Sequence, residues 1–236
     1  MSNPFKVVRD FEAALCDFTG APFAVSTTSC TMALLLAVAW HLRDDLEMLQ
    51  YGLQGGGAEW IRKSIEIPKR TYVGVPMSII HAGGRPTFRD ENWTGAYELS
   101  PLKVWDSARW FSAGMYRGDF AGPFVEGNVR YTFERDCAGQ MVCVSFHWSK
   151  TLGIQQGGAI LHDDPEADRW LRMARFDGRE EGVAPKDQKE WIVGWHCYMA
   201  PATAAEGLTR LRLIPRHNDP LPNDDYPDLS TMDIFR

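Results

Sequence analysis

The amino-acid sequence predicts an α/β fold built around a mostly parallel sheet. Along the first 90 residues, segments with helical periodicity alternate with short apolar or β-branched runs, the order expected when crossover helices join strands. Residues 141–146 (MVCVSF) form another such run, apolar enough for a strand buried on both faces. With 236 residues, the chain is long enough to bury one sizeable core.

The N-terminal part accounts for most of this alternation. Apolar residues spaced three or four apart predict helices at residues 4–18, 32–40 and 73–82. Short apolar or β-branched runs predict strands at residues 23–26, 64–68 and 86–90. Residues 43–63 are charged and contain three consecutive glycines, so we expect a helix end, a surface loop and a short return helix there.

The C-terminal part continues the alternation of helices and strands and ends in a segment without a helical or strand period. Further strands are expected at residues 102–105, 141–146 and 159–161, and helices at residues 166–174 and 200–213. Residues 110–139 have no clean period, which predicts loops and short strands. Four prolines and five aspartates lie in the last 22 residues and predict an extended arm. The expected organisation is one large domain, residues 1–211, followed by a C-terminal arm, residues 212–236.

Composition excludes several classes of function. Lys and Arg total 25 against 31 Asp and Glu, a formal net charge of −6 without a basic cluster, which argues against nucleic-acid binding. The five cysteines are odd in number and lack the paired spacing of a zinc site, so we expect neither a metal centre nor a disulfide framework. The sequence shows no signal peptide and no apolar run of membrane-spanning length, and we expect a cytoplasmic protein.

Three polar features follow predicted strands, where α/β proteins place their ligand crevices. Lys150 lies between the strand at residues 141–146 and the pair Gly157-Gly158. Asp106 ends the strand at residues 102–105, either as a helix cap or as the partner of a cationic group. The hydroxyl-rich turn at residues 27–31 begins a helix, where it either caps the helix or holds a phosphate on free N–H groups. The residues alone leave these alternatives open.

Five segments, in this order along the chain, resemble the DegT/DnrJ/EryC/StrS family of sugar aminotransferases, which depend on pyridoxal 5′-phosphate (PLP). The segments are FEAALCDFTGAPFAVSTTSCTMAL (11–34), PKRTYVGVPMSIIHAGGRPTFRD (68–90), WDSA (105–108), SFHWSKTLGIQQGGAIL (145–161) and GWHCYMAPATAAEGLTRL (194–211). The resemblance implies a three-layer fold-type-I large domain and an enzyme that uses PLP.

The resemblance also assigns roles to individual residues. Lys150 would carry PLP as a Schiff base, and Asp106 would pair with the pyridine nitrogen and keep it protonated. Tyr72 would lie on the cofactor ring. The phosphate would be held by four residues: Ser29, Cys30, Thr31 and Ser145.

A reaction and partners follow from the same resemblance. We expect transfer of an amino group from a donor such as glutamate to a keto-sugar or related carbonyl compound, with Lys150 as general base and acid. Family members form homodimers with the cofactor at the interface, so we expect a homodimer or larger assembly. Two alternatives remain: another PLP reaction such as decarboxylation or elimination, and a non-catalytic subunit that keeps the fold.

The sequence departs from the family pattern in several places. Residues 90–105 are much shorter than in the family, which suggests the loss of a strand, a helix and part of the substrate-side wall. The chain ends soon after the segment 194–211, so the small C-terminal domain is expected to be missing. Arg109 stands near the cofactor's phenolic oxygen, where the family has His or Gln, and Gln156 replaces a Glu. His196 replaces an Asn that reaches the phosphate of the neighbouring subunit. We therefore expect a complete cofactor side and an altered substrate side.

Overall fold

A computed structural model describes residues 4–52, 62–118, 124–126, 129–131 and 137–235. The α-helices are α1 (Lys6–Thr19), α2 (Cys30–Gly52), α3 (Gly74–His81), α4 (Pro165–Ala174) and α5 (Pro201–Leu211). The strands are β1 (Phe23–Thr27), β2 (Ser64–Pro68), β3 (Arg85–Arg89), β4 (Tyr97–Glu98), β5 (Val104–Ser107), β6 (Phe124–Glu126), β7 (Val129–Tyr131), β8 (Met141–Ser145) and β9 (Gly158–His162).

The main sheet is mixed rather than mostly parallel. Its five strands have the order β1-β9-β8-β5-β4, and of the four pairings only β5 with β8 is parallel. The connections explain the difference: β9 returns from β8, and β5 from β4, through loops without a helix, and parallel pairing needs a longer crossover. Strands β2 and β3 pair in parallel as a separate ribbon, whose Glu66 forms an isolated bridge with Ser100.

Helices cover both faces of the sheet, as the sequence predicts for an α/β fold. Side chains of the central strands alternate between two apolar cores, and every residue of β8 and β9 is buried. On β8, Cys143 faces the core beneath α2 and α4, whereas Val142 and Val144 face the core beneath α1 and α5. Burial on both faces explains why these strands lack a simple apolar-polar alternation. The structure therefore has three layers.

Most predicted elements are confirmed, and apart from the end of α2 their ends shift by at most two residues. Helix α2 is longer than predicted and continues to Gly52. The return helix predicted within residues 43–63 falls mainly outside the described residues. Helix α1 ends at Gly20, which has the left-handed φ of 79° that a glycine C-cap adopts. Helix α4 is preceded by the N-cap residue Asp164, whose carboxylate accepts from the N–H groups of Glu166 and Ala167.

The C-terminal arm is extended and returns across the domain. Its backbone bonds to the domain at three places: Ala113 N donates to Arg216 O (2.8 Å), Leu221 N to Arg109 O (2.7 Å) and Leu229 N to Lys69 O (2.8 Å). Leu229 is fully buried, and two short 3₁₀ turns follow. The arm is thus fixed on both sides of residues 222–228.

A buried ion cluster ties α1 to α4 and to the edge strand β1. The Glu12 carboxylate, 3% exposed, accepts from the guanidinium groups of Arg175 and Arg172 and from the backbone N–H of Ser26 (3.0 Å). Burial alone would raise the pKa of Glu12, but the two guanidinium groups outweigh it and lower that pKa to about 2. Within the described part of the chain, no helix is both long and apolar enough to span a bilayer.

Candidate active site

A cavity of about 590 Å³ opens where β5 and β8 end beside the start of α2. This is the carboxyl edge of the sheet's parallel pair, the place where α/β folds bind ligands. Eight of the nine predicted site residues line the cavity: Ser29, Cys30, Thr31, Tyr72, Asp106, Arg109, Ser145 and Lys150. The first and the last of these residues, Ser29 and Lys150, are 121 positions apart in the sequence, and the structure brings them to one cavity.

The start of α2 forms one end of the cavity. The Ser29 hydroxyl accepts from the N–H of Met32 (3.2 Å), so the capping alternative holds for this residue. Among the described residues, the N–H groups of Cys30 and Thr31 have no acceptor. Unpaired N–H groups and the positive end of the helix dipole make this an anion site. Capping and anion binding are therefore compatible at this turn.

Gly158 explains how the helix start comes so close to the sheet. A Cβ atom at this position would overlap the backbone nitrogen of Cys30 and lie 2.6 Å from the carbonyl carbon of Ser29. Gly158 pairs with Ser145 across β8 and β9, which places the Ser145 hydroxyl beside the same helix start. The paired glycines therefore have a packing role that supports the anion site.

Asp106 lies at the inner end of the cavity and is 5% exposed. Its carboxylate accepts from the Tyr97 hydroxyl (2.7 Å) and the Ala108 N–H (2.9 Å). Burial raises its pKa, while these two hydrogen bonds and the nearby Lys150 oppose the rise. Within the described residues no cationic side chain forms an ion pair with Asp106. A buried carboxylate that forms no ion pair is suited to a cationic ligand group.

Lys150 is partly buried and lies in a turn closed by its backbone N–H to His147 O (2.8 Å). Burial is the largest cause that lowers its pKa, and the positive charge of Arg109 adds to it. The carboxylates of Asp224 and Asp106 act in the opposite direction. The amine is therefore easier to deprotonate than an exposed lysine, which suits a nucleophile.

Tyr72 presents an aromatic face to the cavity. The residue is 57% exposed and lines the cavity. Gly74 makes room for the ring, since a Cβ atom there would lie 2.7 Å from Cε1 of Tyr72 and 2.9 Å from Oγ1 of Thr31. An exposed ring at the mouth of a cavity is suited to contact with a planar ligand.

The C-terminal arm forms the remaining wall, which sequence reasoning missed. Asp224 accepts from Nη1 of the buried Arg109 (2.7 Å), and Tyr226 stacks on Trp93 with ring centroids 6.3 Å apart. All four side chains line the cavity. Neither the arm nor the irregular stretch around Trp93 has a periodic signal, so only the tertiary structure reveals them.

Tyr97 was also missed. It lies in the short strand β4, within a stretch predicted to be irregular, and is 2% exposed. Its hydroxyl donates to Asp106, so the hydroxyl of Thr71, 2.6 Å away, donates to the Tyr97 oxygen. A tyrosine in an apolar-poor segment carries no sequence signal for this contact.

His196 is the one predicted site residue that lies outside the cavity. Its exposed ring contacts Asp177, with Nδ1 3.0 Å from the carboxylate. The predicted role of His196 concerns a neighbouring subunit, so it stays a prediction. No group of three His, Cys, Asp or Glu side chains in the described residues is arranged to hold a metal ion.

Comparison with protein families finds a match over most of the chain. Residues 2–104 and 135–219 match the model of the DegT/DnrJ/EryC1/StrS aminotransferase family. The chain belongs to this family. The match includes every predicted site residue except Asp106 and Arg109, which lie between the two matched stretches.

Individual members of the DegT/DnrJ/EryC1/StrS family are distant in sequence. The chain is 23% identical over 237 residues to the spore coat polysaccharide biosynthesis protein SpsC of Bacillus subtilis (strain 168), covering 88% of this chain and 57% of SpsC. It therefore spans little more than half the length of this curated relative.

Solved structures confirm the fold. One is Helicobacter pylori PseC, an aminotransferase involved in the biosynthesis of pseudoaminic acid, with a TM-score of 0.58 and 17% identity over 90% of this chain and 63% of PseC. Another is Bacillus subtilis NtdA with bound cofactor PMP, with a TM-score of 0.57 and 16% identity over 87% of this chain and 48% of NtdA. The predicted α/β aminotransferase fold is confirmed.

Proposed function

We propose that this chain is a PLP-dependent aminotransferase that moves an amino group, with glutamate as donor, to a keto-sugar or a related carbonyl compound. The observation that carries the proposal is the buried Asp106, which forms no ion pair among the described residues and lines one cavity with Lys150. Family membership supports the reaction type.

The cavity residues fit the three reactive parts of PLP. The open N–H groups of Cys30 and Thr31, with the hydroxyl of Ser145, would hold the phosphate. Asp106 would hold the ring nitrogen in its cationic form. Lys150 would hold the cofactor covalently. When bound, the cofactor supplies the electron sink that stabilises negative charge at the substrate carbon.

The residues of the chain would then control orientation and proton movement. Tyr72 would fix the tilt of the cofactor ring from its exposed face. When Lys150 is free, its Nζ atom would act as general base and then as general acid. It would take a proton from the substrate carbon and deliver it to the cofactor carbon C4′. The lowered pKa of Lys150 favours this role because an uncharged amine is needed to accept the proton.

The substrate class rests on the family. PseC is described as taking part in pseudoaminic acid biosynthesis and SpsC in spore coat polysaccharide biosynthesis. A carbonyl-bearing sugar is the acceptor consistent with both descriptions.

An absorption spectrum tests the cofactor part of the proposal. The purified chain mixed with PLP should show a visible band that Lys150→Ala abolishes and the exposed-residue control Lys189→Ala keeps. Addition of glutamate should bleach the band and release 2-oxoglutarate. If the chain stays colourless with PLP, the proposal is wrong, and the alternative of a non-catalytic subunit that keeps the fold is left.

One observation supports a second PLP reaction. Arg109 places a buried cation in the cavity beside Lys150, where its charge would alter the proton balance of the bound cofactor. Decarboxylation or elimination is therefore the alternative to transamination. Release of carbon dioxide or ammonia from an amino acid, without the pyridoxamine spectrum, would identify it.

We also propose a homodimer or larger homo-oligomer. The exposed His196 would reach the cofactor phosphate of a neighbouring copy, as the resemblance implies. Multi-angle light scattering of the purified chain should give at least twice the monomer mass of 26.7 kDa. A monomer that binds PLP tightly would contradict this proposal.

A further inference from the structure

The contact between Arg109 and Asp224 joins the cavity to the C-terminal arm. Nη1 of Arg109 donates to Oδ2 of Asp224 at 2.7 Å, and the two side chains are 9% and 63% exposed. Nε of Arg109 is buried without a hydrogen-bond partner among the described residues. The guanidinium is thus a fixed, incompletely satisfied cation that faces an exposed carboxylate.

The two partners differ in how firmly they are held. Arg109 follows β5 and is enclosed by the domain, and its backbone oxygen accepts from Leu221 N. The Asp224 carboxylate touches only Arg109 and the Tyr226 hydroxyl (3.2 Å) in the described structure. Since the arm backbone is anchored by Leu221 and Leu229, a side-chain rotation of Asp224 is enough to vacate the guanidinium.

We propose that Arg109 is the carboxylate-binding residue of the amino-donor subsite and that Asp224 occupies this subsite until the donor carboxylate displaces it. The inference rests on the proposed function, because it assigns the donor's place in the same cavity. It predicts that Asp224 acts as an internal competitor of carboxylate ligands.

The geometry favours a carboxylate over other ligands. The guanidinium already binds a carboxylate at 2.7 Å, and its planar fork suits a second one of the same shape. The same cavity is lined by the α2 start, whose free N–H groups suit a phosphate and leave the guanidinium for a carboxylate. Arg109 and Lys150 line the same cavity, so a carboxylate held by Arg109 leaves the donor's amine in the space that the lysine faces.

Calorimetric titration of the full chain with glutarate, a dicarboxylate that cannot be transaminated, tests the proposal. Asp224→Asn should bind glutarate about 5- to 10-fold more tightly than the unmodified chain, because an internal competitor reduces apparent affinity in proportion to its occupancy. Asp225→Asn is the matched control: it removes the same charge from the neighbouring position, which has no contact with Arg109, and should leave the affinity unchanged.

Variants at Arg109 complete the test. Arg109→Gln should lose glutarate binding by at least about tenfold, and Arg109→Lys should retain part of it. Glutaramide, the uncharged diamide, should not bind. Equal affinity of Asp224→Asn and the unmodified chain would overturn the proposal, and so would unchanged binding by either Arg109 variant.

The titration is independent of the cofactor. It is carried out on the full chain without added PLP and repeated with PLP present. If the Lys150-dependent visible band fails to form, the proposed function fails while the glutarate result still decides the carboxylate subsite. If the band forms and Asp224→Asn does not tighten glutarate binding, only the subsite proposal fails.

Discussion

Replacement of Tyr97 by Phe tests how the buried Asp106 is held. The Tyr97 hydroxyl accepts from Thr71 (2.6 Å) and donates to Asp106 (2.7 Å), and all three side chains are buried. Removal of the hydroxyl keeps the ring and its packing against Trp93 (4.6 Å between centroids). The variant therefore isolates the two hydrogen bonds.

The expected cost follows from the charge of the acceptor. A hydrogen bond to a charged group contributes about 1.5–3 kcal/mol and a neutral one about 1 kcal/mol. We expect Tyr97→Phe to lower the free energy of unfolding by about 2–3 kcal/mol at pH 7, seen as a drop of roughly 1 M in the urea midpoint. Ser78→Ala, which removes a buried hydroxyl that donates to the neutral Val75 carbonyl, should cost about 1 kcal/mol or less.

The pH dependence gives a sharper test. The folded-state pKa of Asp106 is raised by burial above its usual 3.8, and the Tyr97 bond holds that rise down. Without the hydroxyl the pKa rises further. A raised carboxyl pKa means that stability is fully present below the unfolded value and is lost as pH rises through the folded value.

Because loss of the Tyr97 bond raises the pKa of Asp106 further, the stability difference between the unmodified chain and Tyr97→Phe should shrink toward about 1 kcal/mol as pH falls from 7 to the usual carboxyl value of 3.8. Urea unfolding at both pH values measures it. A difference that is independent of pH, or smaller at pH 7 than for Ser78→Ala, would refute the charged contact.

Two further predictions concern the ion cluster and the helix start. Glu12→Gln should cost about 3 kcal/mol of unfolding free energy at pH 7, because the depressed pKa of about 2 contributes stability that is present above pH 4.5 and lost as pH falls toward 2. Acid titration by circular dichroism should show the two proteins converging near pH 2, with Glu206→Gln at the partly exposed, salt-bridged Glu206 as control. Gly158→Ala should lower the free energy of unfolding by about 1–3 kcal/mol and weaken the binding of inorganic phosphate, because its Cβ atom would push α2 away from β9. Urea unfolding measures the first effect, and an unchanged urea midpoint would contradict the close approach of α2 to β9.

The sequence predicts the layers of the fold better than the directions of its strands. The pattern of apolar residues identifies α1 through its helical period and β8 through a continuous apolar run. It carries no information on pairing, which the connections decide: the 12-residue link from Ser145 to Gly158 has no helix, so β9 turns back antiparallel. Strand order and direction therefore required the structure.

The residues of the candidate site also fall into two groups, those that the sequence predicts and those that only the structure reveals. The sequence places three parts of the site together because each lies at the end of a helix or strand and within a segment that resembles the family. These parts are Lys150, Asp106 and the start of α2. Tyr97 lies in a two-residue strand, which is too short to show a period. Its contact with Asp106 depends on the pairing of β4 with β5, where Tyr97 stands opposite Asp106.

Arg109 shows why the substrate side escapes prediction. The sequence shows that its charge departs from the family, yet its partner Asp224 lies 115 residues away in an arm without periodicity. Both charges act on Lys150 in opposite directions, the guanidinium lowering the pKa of the amine and the carboxylate raising it. A ligand that replaces Asp224 by its own carboxylate keeps this balance. Asp224→Asn removes it, and the pKa of Lys150 should fall further. The arm therefore contributes to the reactivity of the lysine as well as to the wall of the cavity.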